Sequence, residues 1–204
     1  MPRYPLTPEV REIIADSLHN ALLKFMQPSI THIGPINTIG CFLLKHLTGD
    51  NYVPVAGSVE VRCGGTPFGI QAHIENIDIH GYYVWIECAR DGATELVDFG
   101  ARYWKPWAKD EGVLWTGPAP PAFTWGMQHE LNGYAEYTAH EEISNAVRHA
   151  IEDAVAVLKP DSSVAKWETA INDSIDGILN TEAGLEYLIQ IGIAKPVDDE
   201  EPFQ

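Results

Sequence analysis

Residues 79–99 read IHGYYVWIECARDGATELVDF, and this stretch decides the fold. Ile79 to Cys88 and Glu95 to Phe99 are short runs rich in β-branched and aromatic residues, the composition of strands. Asp91-Gly92 between them is a strong two-residue hairpin signal. A tight turn there sets the register and places Asp98 opposite Trp85. Side chains alternate along a strand, so Tyr83 shares the face of Trp85 and Asp98, and His80 lies on the other face.

Upstream, Val53 to Val61 and Phe68 to Ile74 have the same strand character, and Gly64-Gly65 separates them. Before the strands come two helices. Thr7-Pro8-Glu9 gives a hydroxyl cap, a proline in the first turn and an acid beside it. Val10, Ile13, Ile14, Leu18, Ala21, Leu22 and Phe25 follow at helical spacing. Gln27 to Asn37 reads as a loop broken at Gly34-Pro35. Thr38 then caps a second helix running through Cys41, Phe42, Leu44 and Leu47 to Gly49, apolar almost all round and therefore central.

Downstream, Tyr103 to Trp125 holds Trp104, Trp107, Trp115 and Trp125 among several prolines, and reads as a long ordered loop or lid. From about His140 three helical stripes follow: Ile143 to Leu158, Val164 to Ile175, and Leu185 to Ile189, the last stopped by Gly192. The fold class is thus α+β. A Cys-bearing helix packs on an antiparallel sheet under a C-terminal helical cover. Residues 1–137 form the core with its Trp/Pro-rich loop, and 138–204 a helical extension packed on the same domain.

The 204 residues carry 13 Lys+Arg and 29 Asp+Glu, a net charge of −16. That surface repels phosphate and argues against nucleic-acid or anionic-membrane partners. No apolar run is long enough for a membrane helix. The MPRYPLTPEV start lacks a signal-peptide pattern, which gives the expectation of a cytoplasmic protein. Charge is uneven: residues 1–107 hold 8 basic and 11 acidic side chains, residues 108–204 hold 5 and 18. Any chemistry is expected in the nearly neutral first half, with the acidic helices as a solvated cover or a homo-oligomer surface. Three scattered cysteines, Cys41, Cys63 and Cys88, do not make a disulfide framework. There is no His-Glu-x-x-His, Walker loop or Gly-x-Gly-x-x-Gly, so no metal or cofactor is expected.

Cys41 is the candidate nucleophile, set in the first turn of the expected second helix. The thiolate is the reactive form, and a helix N-terminus contributes only roughly 0.3–1 kcal/mol. One pKa unit is about 1.36 kcal/mol, so a useful nucleophile needs an imidazolium partner as well. The Cys41 backbone N–H is the candidate oxyanion donor. Asn37 is either a further oxyanion amide or an Asx turn into the helix.

A helix-borne Cys, then a sheet carrying His, then an Asp on the next strand resembles the papain-like and transglutaminase-like cysteine-enzyme superfamily, which includes the arylamine N-acetyltransferases. Asn37-Thr38-Ile39-Gly40-Cys41-Phe42 looks like the start of its nucleophile helix. Tyr83-Val84-Trp85-Ile86-Glu87 looks like its His-x-Trp-x-Glu strand, and Leu96-Val97-Asp98-Phe99-Gly100 like the strand whose Asp orients the His. The resemblance implies a cysteine-dependent hydrolase or acyltransferase acting on an amide, ester or thioester of a small-molecule or peptide substrate. Cys41 would attack, His80 would be base and then acid, and Asp98 would orient the imidazole.

The sequence departs from that pattern at Tyr83, which stands where the motif has histidine. His80 is three residues earlier and about 16 Å along the strand from the position facing Asp98, so it reaches only through a bulge at Gly81. His73, on the solvent face of its strand, is the other histidine. The alternative reading is a non-catalytic member of the same fold, a binding or assembly protein.

Overall fold

The computed structural model describes residues 6–26, 33–73, 81–90, 92–156 and 163–195. Helix α1, Pro8–Leu22, is capped by the Thr7 hydroxyl, which accepts from the Val10 N–H. Helix α2 is Ile33–Thr48 and strand β1 is Val53–Val61. Strand β2 is Phe68–Ile70, β3 is Tyr83–Arg90 and β4 is Ala93–Asp98. A 3-10 turn at Ala101–Tyr103 leads into α3, Trp104–Asp110. Then come β5 (Thr124–Met127), α4 (Gln128–Leu131), β6 (Ala135–Ala139), α5 (Glu141–Ala156), α6 (Ser163–Leu179) and α7 (Glu182–Gln190). The chain is α+β, as the sequence indicates, with an antiparallel sheet and, among the described residues, seven α-helices.

The strand order is β2-β1-β3-β4-β5, with β6 also bonded to β1. The β3–β4 hairpin pairs Arg90 with Ala93 and Ile86 with Val97, the register expected from a two-residue turn. Gly92 sits at φ 82°, a conformation that glycine adopts at no steric cost. Strand β1 is the hub, paired with β3 over its first half and with β2 and β6 over its second. Most of its residues are buried on both faces, so it is largely apolar, with Ser58 and Glu60 as interruptions.

Helices α1, α2 and α6 pack together, and α2 lies across β3. Ala170, Ile178, Tyr187 and Leu188 of the C-terminal helices belong to the same apolar core as Ile14, Leu43 and Trp85. Helix α5 covers β1, where the Ser144 hydroxyl accepts from the Ala56 N–H and donates to its carbonyl.

Three expectations need correction. Helix α2 begins five residues before Thr38, because Pro35 lies in its first turn, where the backbone N–H has no intrahelical acceptor to lose. The Trp-rich segment is not all loop: Trp104–Asp110 is helical, with Pro106 again in the first turn. Strand β2 ends at Ile70, short of the expected Ile74, and residues 128–139, which no local pattern assigns, hold α4 and β6.

Candidate functional site

Asp98 ends β4 and is fully buried. Its Oδ2 accepts from the hydroxyls of Tyr83 (2.8 Å) and Tyr137 (2.9 Å). Its Oδ1 accepts from Asn37 Nδ2 (2.8 Å) and the Gly100 N–H (2.7 Å). Strand alternation brings these groups together. Trp85 faces Asp98 in the hairpin register, so Tyr83 projects from the same face, and β6 delivers Tyr137 from the other side. Burial pushes the Asp98 carboxyl above its ordinary range, and the four donors oppose that shift.

Tyr83 is saturated as well. Its oxygen donates to Asp98 and accepts from Trp104 Nε1 at 3.0 Å, and its ring stacks on Trp107 at 5.9 Å. Burial first, and the Asp98 charge second, push its hydroxyl well above the usual phenol range. A hydroxyl so held stays protonated at neutral pH and does not exchange protons as an imidazole does.

Asn37 ties helix to sheet. Its Nδ2 also donates to the Val84 carbonyl (2.8 Å), and its Oδ1 accepts from the Phe99 N–H (2.8 Å). The side chain is neither an oxyanion amide nor an Asx turn into the helix; it cross-links α2 to β3 and to the end of β4. The sequence signal is the polar pair Asn37-Thr38 within an otherwise apolar stretch from Ile33 to Leu44.

The expected triad residues fare differently. Cys41 lies in the third turn of α2, not the first, so its N–H belongs to the helical ladder and is not a free oxyanion donor. The residue is 2% exposed, and its Sγ donates to the Tyr52 carbonyl at 3.4 Å. Burial pushes the thiol up to about 12, outweighing the nearby Lys45. Cys41 is not among the groups bonded to Asp98. His80 lies outside the described residues. His73 is exposed, as its strand pattern suggests. None of the three cysteines forms a disulfide; Cys88 is buried and Cys63 half-buried.

Beside Tyr83 opens a cleft of about 500 Å³. Ile33, Gly34, Pro35 and Thr38 of α2 form one wall, Tyr82 to Val84 the floor, and Val147, Ile151 and Trp167 of α5 and α6 the far wall. The volume is in the range of small-molecule sites. Among the described residues no group of three His, Cys, Asp or Glu could hold a metal ion, and no helix is long and apolar enough to cross a membrane.

A second buried network sits on the helix-covered face. Glu95 accepts from the Tyr52 hydroxyl (2.7 Å), Arg90 Nε (2.6 Å) and Trp125 Nε1 (3.0 Å), while Arg90 also pairs with Asp50 at 2.8 Å. Each of these donors is matched to a carboxylate, whereas Arg11, whose Nη2 lies 3.8 Å from Glu95 Oε1, has a buried Nε with no hydrogen-bond partner among the described residues.

No family model and no curated protein matches the chain. A solved crystal structure described only as a genomics target is similar over 80% of this chain and 76% of its own, at 18% identity and a TM-score of 0.50. That likeness is one of fold.

Proposed function

We propose that this chain is a non-catalytic binding protein on a papain-like or transglutaminase-like scaffold, and that its cleft between α2, α5 and α6 takes a small, largely apolar ligand. One observation carries the reading: the Tyr83 hydroxyl engages Asp98 where the family resemblance calls for a histidine. Acyl transfer through Cys41, His80 and Asp98 needs an ionisable thiol facing an imidazole. Here the sulfur is buried, donates to a carbonyl and is driven toward its protonated form. Asp98 already has four donors, so it serves as an anchor and not as the steadying group of a proton relay.

The ligand side of the reading rests on α5. Its apolar stripe is Ile143, Val147, Ile151 and Val155, yet only Ile143 is fully buried. The middle of that stripe, Val147 and Ile151, lines the cleft with Trp167 and Val84. Apolar surface gathered into one concavity is the usual form of a ligand site.

Two measurements test the proposal. Iodoacetamide labelling of native protein, read by mass spectrometry, should leave Cys41 unmodified until urea unfolds the chain. Labelling in the native state with a midpoint well below pH 9 would overturn the non-catalytic reading. Nile red should gain fluorescence on binding wild-type protein, and Ile151→Gln should weaken that binding. A dye response indifferent to Ile151→Gln overturns the cleft assignment.

A further inference from the structure

The walls of the cleft are apolar, but its charge is one-sided. Among the described residues lining it, Glu111 is the only ionisable acid, and there is no Lys, Arg or His. Glu111 caps the C-terminus of α3, and its Oε1 accepts a long bond of 3.3 Å from Trp107 Nε1. A carboxylate offers about four acceptor positions, so one long bond leaves capacity for a further partner. Three aromatic side chains line the same space: Tyr82, Tyr83 and Trp167. Trp167 is half-buried, its ring tilted against Phe42 at 6.5 Å. Ring faces attract cations through their quadrupole, so the half-buried Tyr82 and Trp167, which share this lining with Glu111, favour a positive headgroup, whereas the buried Tyr83 ring is already stacked on Trp107. An anionic ligand would meet no cation among the described lining residues and would enter against the −16 charge of the whole chain.

Building on the ligand-binding reading above, we infer that the occupant of this cleft is an organic cation: an apolar body packed among Ile33, Val84, Val147 and Ile151, with a positive nitrogen directed to Glu111 and the aromatic side chains. The shape of the lining favours this over a neutral hydrocarbon. Apolar walls alone would hold either, but the exposed Glu111 carboxylate attracts a positive group and offers a neutral guest nothing.

Isothermal titration of full-length protein with three probes of equal chain length decides the matter: hexyltrimethylammonium, hexanol and hexanoate. The cation should bind about fivefold more tightly than hexanol, the ratio expected for one partly exposed carboxylate with aromatic help, and hexanoate should bind most weakly. Glu111→Gln should bring the cation down to the level of hexanol and leave hexanol itself unchanged. Hexanoate binding as tightly as the cation, or a cation preference that survives Glu111→Gln, overturns the charge assignment while hexanol binding keeps the cleft reading. Failure of hexanol and the cation alike to bind overturns the cleft reading with it.

Discussion

Tyr83→Phe deletes a single oxygen that serves two buried partners at once. The hydroxyl donates to Asp98 at 2.8 Å and accepts from Trp104 Nε1 at 3.0 Å. A hydrogen bond to a charged group contributes roughly 1.5–3 kcal/mol net, and an indole N–H left unpaired in the core costs roughly 1–3 kcal/mol. The two terms share one atom and overlap, so the expected loss is about 3 kcal/mol at pH 7. Urea unfolding followed by tryptophan fluorescence measures it, with an unchanged m-value showing that the two end states are comparable. The sign with pH follows from Asp98. Its folded carboxyl sits above its ordinary value, so its contribution to stability is fully present below the unfolded pKa and is lost as pH rises through the folded one. Removing a donor that favours the charged form pushes the folded value higher still. The Tyr83→Phe penalty should therefore be larger at pH 7 than near pH 2, well below the ordinary carboxylate range, where the carboxyl is protonated in both states. A loss below about 1 kcal/mol at pH 7, under the smallest single term, or a penalty independent of pH, would refute the picture of a carboxylate held by its hydroxyl donors.

Other expectations follow from the same geometry. Asn37→Ala removes three buried hydrogen bonds, so it should cost about 3 kcal/mol and speed hydrogen exchange at the Phe99 amide in particular. Gly57→Ala would place a methyl carbon 2.1 Å from the Thr138 carbonyl oxygen across the β1–β6 ladder. Relief must come from the backbone, so the loss should be about 2–3 kcal/mol, visible as a drop in the thermal midpoint.

Much of the sheet could be read directly from residues. Val53–Val61 is a strand with the expected bounds, and Asp91-Gly92 fixes the hairpin register that puts Tyr83 on the Asp98 face. The helix starts were harder, and for one reason. Pro35 and Pro106 each stand third in their helix, where proline is tolerated, yet proline in sequence reads first as a breaker. Misplacing the start of α2 by five residues moved Cys41 from the interior of a helix to its tip, and with it came the expectation of a free oxyanion N–H. Strand β6 was missed although Ala135 and Tyr137 alternate with exposed Glu136 and Thr138, because five residues give a weak period. Tyr137 therefore could not be assigned to the Asp98 cluster: its role depends on a pairing that no local pattern reveals.

The dependence of β1 on β6 also bears on how a nascent chain matures. Val59–Val61 and the carboxyl of Asp98 are both made early, and each waits for a segment made later: Ala135 to Tyr137 for the ladder, and the Tyr137 hydroxyl for the acid. Until those residues leave the ribosome, a valine-rich strand has one open edge, the kind of edge on which chains associate wrongly. Translation pauses that hold Ala135–Ala139 inside the ribosome would lengthen that exposure, whereas pauses after this segment has emerged would find the β1–β6 ladder able to close.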